Sequence, residues 1–167
     1  MKKKINKLGL ELIKHFESLK LEAYQDSVGV WTIGWGHTGG QDGSVYEGLK
    51  ITIDEAEELL KKDLIIFEEG VNRLIQIEIN ENQFSALVSF SFNLGLENLK
   101  KSTLLKYLNN GDENHASKEF VKWSKAGGKR LKGLVKRRLS ERNLFCSFCR
   151  IIVDNIKDDW ETNYLDL

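Results

Sequence analysis

Apolar residues recur at helical spacing through Leu8, Leu12, Ile13 and Phe16, which predicts a short helix from about Lys7 to Ser18 with Glu17 in its last turn. Between Leu21 and Tyr46 the period changes. Glycines at positions 29, 34, 36, 39, 40 and 43 break this stretch into β-prone pieces such as Val30-Trp31-Thr32-Ile33. A small, strongly turned antiparallel sheet is expected there. Thr52-Ile53-Asp54-Glu55 reads as a capping box, in which the threonine hydroxyl accepts from a free helix amide while the glutamate reaches back. Behind it Ala56, Leu59, Leu60, Leu64, Phe67, Val71 and Leu74 form one apolar stripe. The stripe predicts a helix of about Ile53 to Leu74, long enough to join two lobes. Asn80 with Gln83 repeats the start signal in weaker form and opens Phe84 to Leu94, stopped by Gly95 and apolar nearly all round, as a buried central helix would be. Ser102 starts Thr103 to Asn109, with Gly111 as the stop. Glu113 to Ser124 carries Ala116, Phe120 and Trp123 on one face, and Leu134 to about Arg150 makes the last helix.

This order of elements predicts an α+β fold, mainly helical, with a cleft where a sheet lobe meets a helical lobe. The expected layout is one domain over 1–150, with the sheet lobe near 19–52 and the helical lobe near 75–150 together with the N-terminal helix. A tail over 151–167 follows.

Composition changes this picture little. A chain of 167 residues buries a core without disulfides or metals, and 41% apolar with 30% charged residues is ordinary for a soluble globular protein. The net charge is zero, so only its distribution informs. Asp42 to Glu81 is mostly acidic. Lys118 to Arg142 is strongly basic, through Lys122, Lys125, Lys129, Arg130, Lys132, Lys136, Arg137 and Arg138. That run reads as a solvated helix face, or as a surface for an anionic polymer; nucleic-acid binding ranks last, because no helix-turn-helix, finger or RNA-binding signature accompanies it. The tail is acidic again and carries Ile151, Ile152, Ile156, Trp160, Tyr164 and Leu165, a pattern suited to folding back on the basic helix, with a frayed terminus as the alternative. Cys146 and Cys149 form a C-x-x-C without a second pair for zinc or a βαβ pattern for a redox motif, so they read as small packing residues on one helix face. Met1 to Lys4 is basic, yet Ile5 to Glu11 is too polar for the core of a signal peptide, and no apolar run approaches the ~20 residues of a membrane span. The expectation is a protein made in the cytoplasm without stable membrane insertion.

Two carboxyls in unlike settings suit acid–base work. Glu17 ends an apolar helix beside Phe16 and Leu19, and Asp26 follows in a polar turn after Tyr24-Gln25. By spacing alone such a pair is common, as a helix-end glutamate and a turn-forming aspartate. The surrounding strings are more specific: Phe16-Glu17-Ser18, Ala23-Tyr24-Gln25-Asp26 and Trp31-Thr32-Ile33-Gly34-Trp35-Gly36-His37-Thr38. With Gln83 to Asn93, Ser102 to Leu105, Trp123 to Gly128 and Gly133 to Arg138, the chain closely resembles the phage-type lysozymes, glycoside hydrolase family 24, from about Asn6 to Phe145. That family carries Glu, eight residues, Asp, five residues, Thr, and Glu17, Asp26 and Thr32 match it without gaps.

The resemblance implies a muramidase that cleaves the β-1,4 bonds of peptidoglycan glycan strands. Glu17 would be the general acid, Asp26 its partner carboxylate, and Thr32 the group that orients water, donating to the carboxylate while accepting from the water. Family resemblance leans towards inversion at the anomeric carbon. Thr38, Phe92 and Thr103 match family positions near the sugar-binding groove, with packing or capping as the other reading of each. The resemblance further implies a monomeric endolysin of a phage or prophage, reaching the wall after a holin opens the membrane, with no cofactor and no metal. Competing readings are the same fold in a tail lysozyme, a secreted effector or a chitin-acting enzyme, or a catalytically dead wall-binding module; occupied acid, base and hydroxyl positions weigh against the last. His37 reads as a structural tie from the sheet to the long helix through Asp63, because His15 and His115 stand outside ligand spacing.

Overall fold

The computed structural model describes residues 2–26, 28–39 and 43–147. In chain order its elements are α1 (Lys7–Phe16), β1 (Lys20–Gln25), β2 (Trp31–Gly34), β3 (His37–Thr38), α2 (Ile53–Leu74), α3 (Glu81–Leu94), α4 (Leu96–Lys101), α5 (Thr103–Asn109), α6 (Glu113–Glu119), β4 (Lys125–Ala126), β5 (Lys129–Arg130) and α7 (Lys132–Cys146). The chain divides into two compact units, Ile13–Phe67 and Met1–Leu12 with Glu68–Leu167.

In the first unit β1, β2 and β3 form an antiparallel meander. A tight turn through Trp35 and Gly36 joins β2 to β3, and Gly36 takes a φ of 91°, a conformation that side chains disfavour. The other edge of β1 bonds to Leu49–Ile51, through the Ala23 amide on the Leu49 carbonyl and the Ile51 amide on the Leu21 carbonyl. The helix α2 has the bounds its stripe predicts, and its capping box forms: the Thr52 amide donates to Glu55 at 2.7 Å, and the Glu55 amide donates to the Thr52 hydroxyl at 3.2 Å. Ile13, Ile33, Trp35, Val45, Ala56, Leu60 and Leu64 are buried in this unit.

The second unit is organised around α3, buried without a break from Gln83 to Ser91. Its capping box of Asn80 and Gln83 and its stop at Gly95 are both present. α3 packs against α7, and α5 against α6. Asn6 caps α1 by accepting from the Gly9 amide at 3.0 Å, and its side-chain amide donates to Asn82 of α3 at 2.6 Å.

Several expectations change. α1 stops at Phe16, one residue before Glu17. The helix expected over Glu113 to Ser124 tightens into a 3-10 turn at Phe120–Trp123. In a 3-10 turn residues i and i+3 eclipse one another, so Phe120 and Trp123 both meet Phe90 edge-on, each at 5.6 Å. Two elements were not anticipated, α4 and the β4–β5 hairpin, although the hairpin's Gly127-Gly128 loop is a standard turn signal. α7 begins at Lys132, before Leu134. Cys146 is exposed at its end, which removes the packing role proposed for it. Cys149, the expected extension to Arg150 and the folding back of the tail lie outside the described residues.

The basic run also divides. Lys125, Lys129, Arg130, Lys132 and Lys136 are exposed, but Arg137 and Arg138 are buried and belong to no solvated face. Both donate to one oxygen of buried Glu141, Arg137 Nε at 3.3 Å and Arg138 Nη2 at 3.0 Å, and the Ser89 hydroxyl joins them at 2.9 Å. Arg138 also lies over the Phe90 ring, 5.0 Å from its centroid, and donates to Asn93 at 2.9 Å. Burial pushes the Glu141 carboxyl up from its ordinary value, and the charges of Arg138 and Arg137 oppose that shift.

Candidate active site

Three of the residues singled out in the sequence, Glu17, Asp26 and Thr32, fall in the unit Ile13–Phe67, and so does Thr38. Glu17 occupies a bend just past α1, where its amide still donates to the Ile13 carbonyl at 3.0 Å. The last turn of α1 is anchored from the side. The Lys14 ammonium donates to Glu57 of α2 and sits 5.0 Å from the centre of the Trp35 ring. That contact holds the Glu57 carboxyl below its usual range, chiefly through the hydrogen bond from Lys14. Ile13 is fully buried beside it in sequence. Glu17 therefore leaves a helix end fixed by an ion pair, a cation–π contact and a core side chain.

Asp26 and Thr32 are organised by the backbone of one residue, Val30. Asp26 Oδ1 accepts from the amides of Val28 and Val30, both at 2.9 Å, an Asx-type turn that turns the chain from β1 into β2. The Asp26 amide donates to the Val30 carbonyl at 3.0 Å, and the Thr32 hydroxyl donates to the same carbonyl at 3.0 Å. Thr32 was expected to donate to the carboxylate. Its proton goes to Val30 instead, because that carbonyl lies two residues back on its own strand and needs no side chain to be brought to it. The hydroxyl oxygen keeps its accepting capacity. Carboxylate and hydroxyl are thus both tied to a single hub, the Val30 backbone, and Oδ2 of Asp26 accepts no hydrogen bond among the described residues.

The sheet sorts the remaining candidates by face. Thr32 pairs with Thr38, and Ile33 with His37, so the two threonines share one face and Ile33 and His37 the other. Thr38 is exposed. On the opposite face His37 meets α2: its Nδ1 lies 2.9 and 3.0 Å from the two carboxylate oxygens of Asp63, the tie anticipated from the sequence. A cavity of about 420 Å³ opens on that side, bordered by Ile33, His37, Val45, Ile51, Glu58 and Lys62, and none of the catalytic candidates lines it. No group of His, Cys, Asp and Glu among the described residues is arranged to hold a metal ion.

Phe92 and Thr103 belong to the other unit. Phe92 is half-buried near the end of α3, and Thr103 is the exposed first residue of α5, preceded by Ser102, whose hydroxyl accepts from the Leu105 amide at 3.0 Å. Capping therefore falls to Ser102 and leaves the Thr103 side chain at the surface. Sequence reasoning missed Lys14 and the Val30 peptide. A lysine three residues before Glu17 was a visible signal, but a backbone carbonyl carries none.

The family profile described as phage lysozyme matches residues 14–141. The chain is 46% identical over 143 residues to an endolysin of Bacillus phage B103, covering 84% of this chain and 53% of that protein. To an endolysin of Salmonella phage P22 it is 42% identical over 144 residues, covering 86% and 98%. It thus spans about half the length of the Bacillus phage relative and nearly all of the Salmonella phage one. Among solved structures it is similar to the muramidase domain of SpmX from Asticaccaulis excentricus, with a TM-score of 0.79 at 40% identity over 87% of this chain and 99% of that one.

Proposed function

The chain belongs to the phage lysozyme family, and from that premise we propose that it is a muramidase, hydrolysing the β-1,4 bond between N-acetylmuramic acid and N-acetylglucosamine in bacterial peptidoglycan. Glu17 protonates the leaving glycosidic oxygen. Asp26 and Thr32 hold the attacking water, and Asp26 takes its proton as the new carbon–oxygen bond forms.

The observation that carries this reading is the hub at Val30. With the Thr32 proton committed to the Val30 carbonyl, the hydroxyl and the carboxylate are both left as acceptors, which supports their holding a water between them. A water that donates both its protons, one to each, turns its own lone pair outward to the anomeric carbon. Fixing that geometry beforehand removes reorganisation from the reaction step. Direct attack by such a water inverts the anomeric centre. Thr38, exposed on the same face as Thr32, is proposed to contact the glycan, as are Phe92 and Thr103.

The test compares purified wild type with Glu17→Gln on chloroform-treated Gram-negative cells, with mass analysis of the released fragments. Wild type is expected to release muropeptides with muramic acid at the reducing end, and Glu17→Gln to lose at least about 10²–10⁴ in rate. Amide-bond cleavage products, or a glutamine variant as fast as wild type, would overturn the assignment.

We propose further that the protein acts as a monomeric endolysin, made in the host cytoplasm and dependent on a holin for access to the wall. The names of the phage relatives support the endolysin role, and no described helix is long and apolar enough to cross a membrane. Lysis on expression in a bacterium without any membrane-permeabilising partner would count against the holin.

A further inference from the structure

The register of the sheet puts an aromatic side chain beside the proposed chemistry. Tyr24 of β1 pairs directly with Thr32 of β2, and Thr32 pairs directly with Thr38 of β3. Directly paired residues on antiparallel strands project to the same face, so Tyr24, Thr32 and Thr38 form one row across all three strands. Asp26 lies two residues beyond Tyr24, at the alternation that keeps it on that face as β1 ends. The irregularity in the β1–β2 pairing lies between Lys20 and Tyr24, upstream of this row, and leaves it in register. Within the row Thr32 is buried, whereas Tyr24 is 38% exposed and Thr38 is open to solvent. A packing tyrosine would hide its ring in the core; here the core residue of the hairpin is Ile33, on the reverse face.

We propose that Tyr24 is a substrate-binding residue, a ring platform on which one pyranose of the glycan lays its C–H face, next to the bond over Asp26 and Thr32. The inference rests on the muramidase reading and adds to it a subsite. A tyrosine suits the role. Its flat apolar body covers the carbon-bound hydrogens of a sugar at small entropic cost, and its hydroxyl stays wet or reaches an N-acetyl group. Thr38, at the far end of the row, offers a hydroxyl to the same sugar strand. Stacking of this kind favours bound substrate and transition state alike, so it acts on KM and leaves the chemical step alone.

The experiment measures kcat and KM separately on soluble glycan strands for wild type, Tyr24→Phe, Tyr24→Trp and Tyr24→Ala, with thermal melting of each. Tyr24→Ala is expected to raise KM by roughly three- to tenfold with kcat little changed and melting near wild type. Tyr24→Phe and Tyr24→Trp keep a ring and are expected to retain most of the affinity. As a binding readout free of turnover, N-acetylglucosamine oligomers added to Glu17→Gln protein should shift the Tyr24 ring resonances. An unchanged KM in Tyr24→Ala, a loss confined to kcat, or ring resonances indifferent to the oligomer would overturn the platform while hydrolysis by wild type stands. A wild-type protein that cleaves no glycan would sink the muramidase reading itself, and the platform with it.

Discussion

Gly9 illustrates how a single residue can contradict its own propensity. It lies inside α1, where glycine is worse than alanine by about 0.5–1 kcal/mol. A Cβ at that position would fall 2.6 Å from Ser85 Cβ and 2.8 Å from Ile5 Cγ1, and Ser85 lies in the buried stretch of α3. The absent side chain is what lets α1 and α3 approach. Gly9→Ala is therefore expected to lower stability by about 1–3 kcal/mol, as overpacking does, despite the better helix former. Urea denaturation measures it, and a gain in stability would mean that the helices can part without cost. The same contrast applies at Thr32. Its identity and spacing were readable in the sequence, but the direction of its hydroxyl was not, because the competing acceptor at Val30 is a backbone atom.

At the scale of elements, the starts of α2 and α3 were legible because a capping box is local: the partners stand three residues apart and meet whenever the helix forms. The start of α2 also carries a pH dependence. The Glu55 carboxyl is held below its ordinary value of 4.5 by hydrogen bonds from the Thr52 amide and hydroxyl, and Glu57 is held down by Lys14. A carboxyl whose pKa is lower folded than unfolded adds stability above its unfolded value and loses it as the pH falls through the folded one. Melting temperature should accordingly fall as the pH drops below about 4.5. The double variant Glu55→Gln/Glu57→Gln should melt lower at neutral pH and decline less steeply in acid. Parallel acid limbs for the two proteins would show that these carboxyls do not drive the effect. The 3-10 turn at Phe120–Trp123 had no such local signature; the ring of Phe90, thirty residues earlier in sequence, selects it.

Over the whole chain, charge is arranged in ways that net neutrality conceals. The basic run looked continuous, yet Arg137 and Arg138 are drawn inside around Glu141, which also accepts from Ser89, while Arg138 donates to Asn93. Removing one member of a buried ionic cluster leaves the others uncompensated, which costs more than the cluster contributed. Glu141→Gln is expected to destabilise by about 3–5 kcal/mol, because the fully buried Arg138 guanidinium would then face a neutral amide where it now has a carboxylate. Denaturation of the variant tests this, with a loss below about 1 kcal/mol as the contrary result. The exposed cations from Lys125 to Lys136 remain a surface in the ordinary sense.

What the sequence determined by itself was whatever depends on near neighbours: the periods of the helices, their caps and stops, the turn-rich sheet, and the spacing of Glu17, Asp26 and Thr32. Those signals act over a few residues, so they survive without knowledge of the fold. Tertiary structure alone decided which cations are buried, which face of the sheet each side chain takes, where Thr32 sends its proton and why α1 needs a glycine. Each of these turns on atoms far away in sequence or on backbone groups, and neither leaves a mark in the order of side chains.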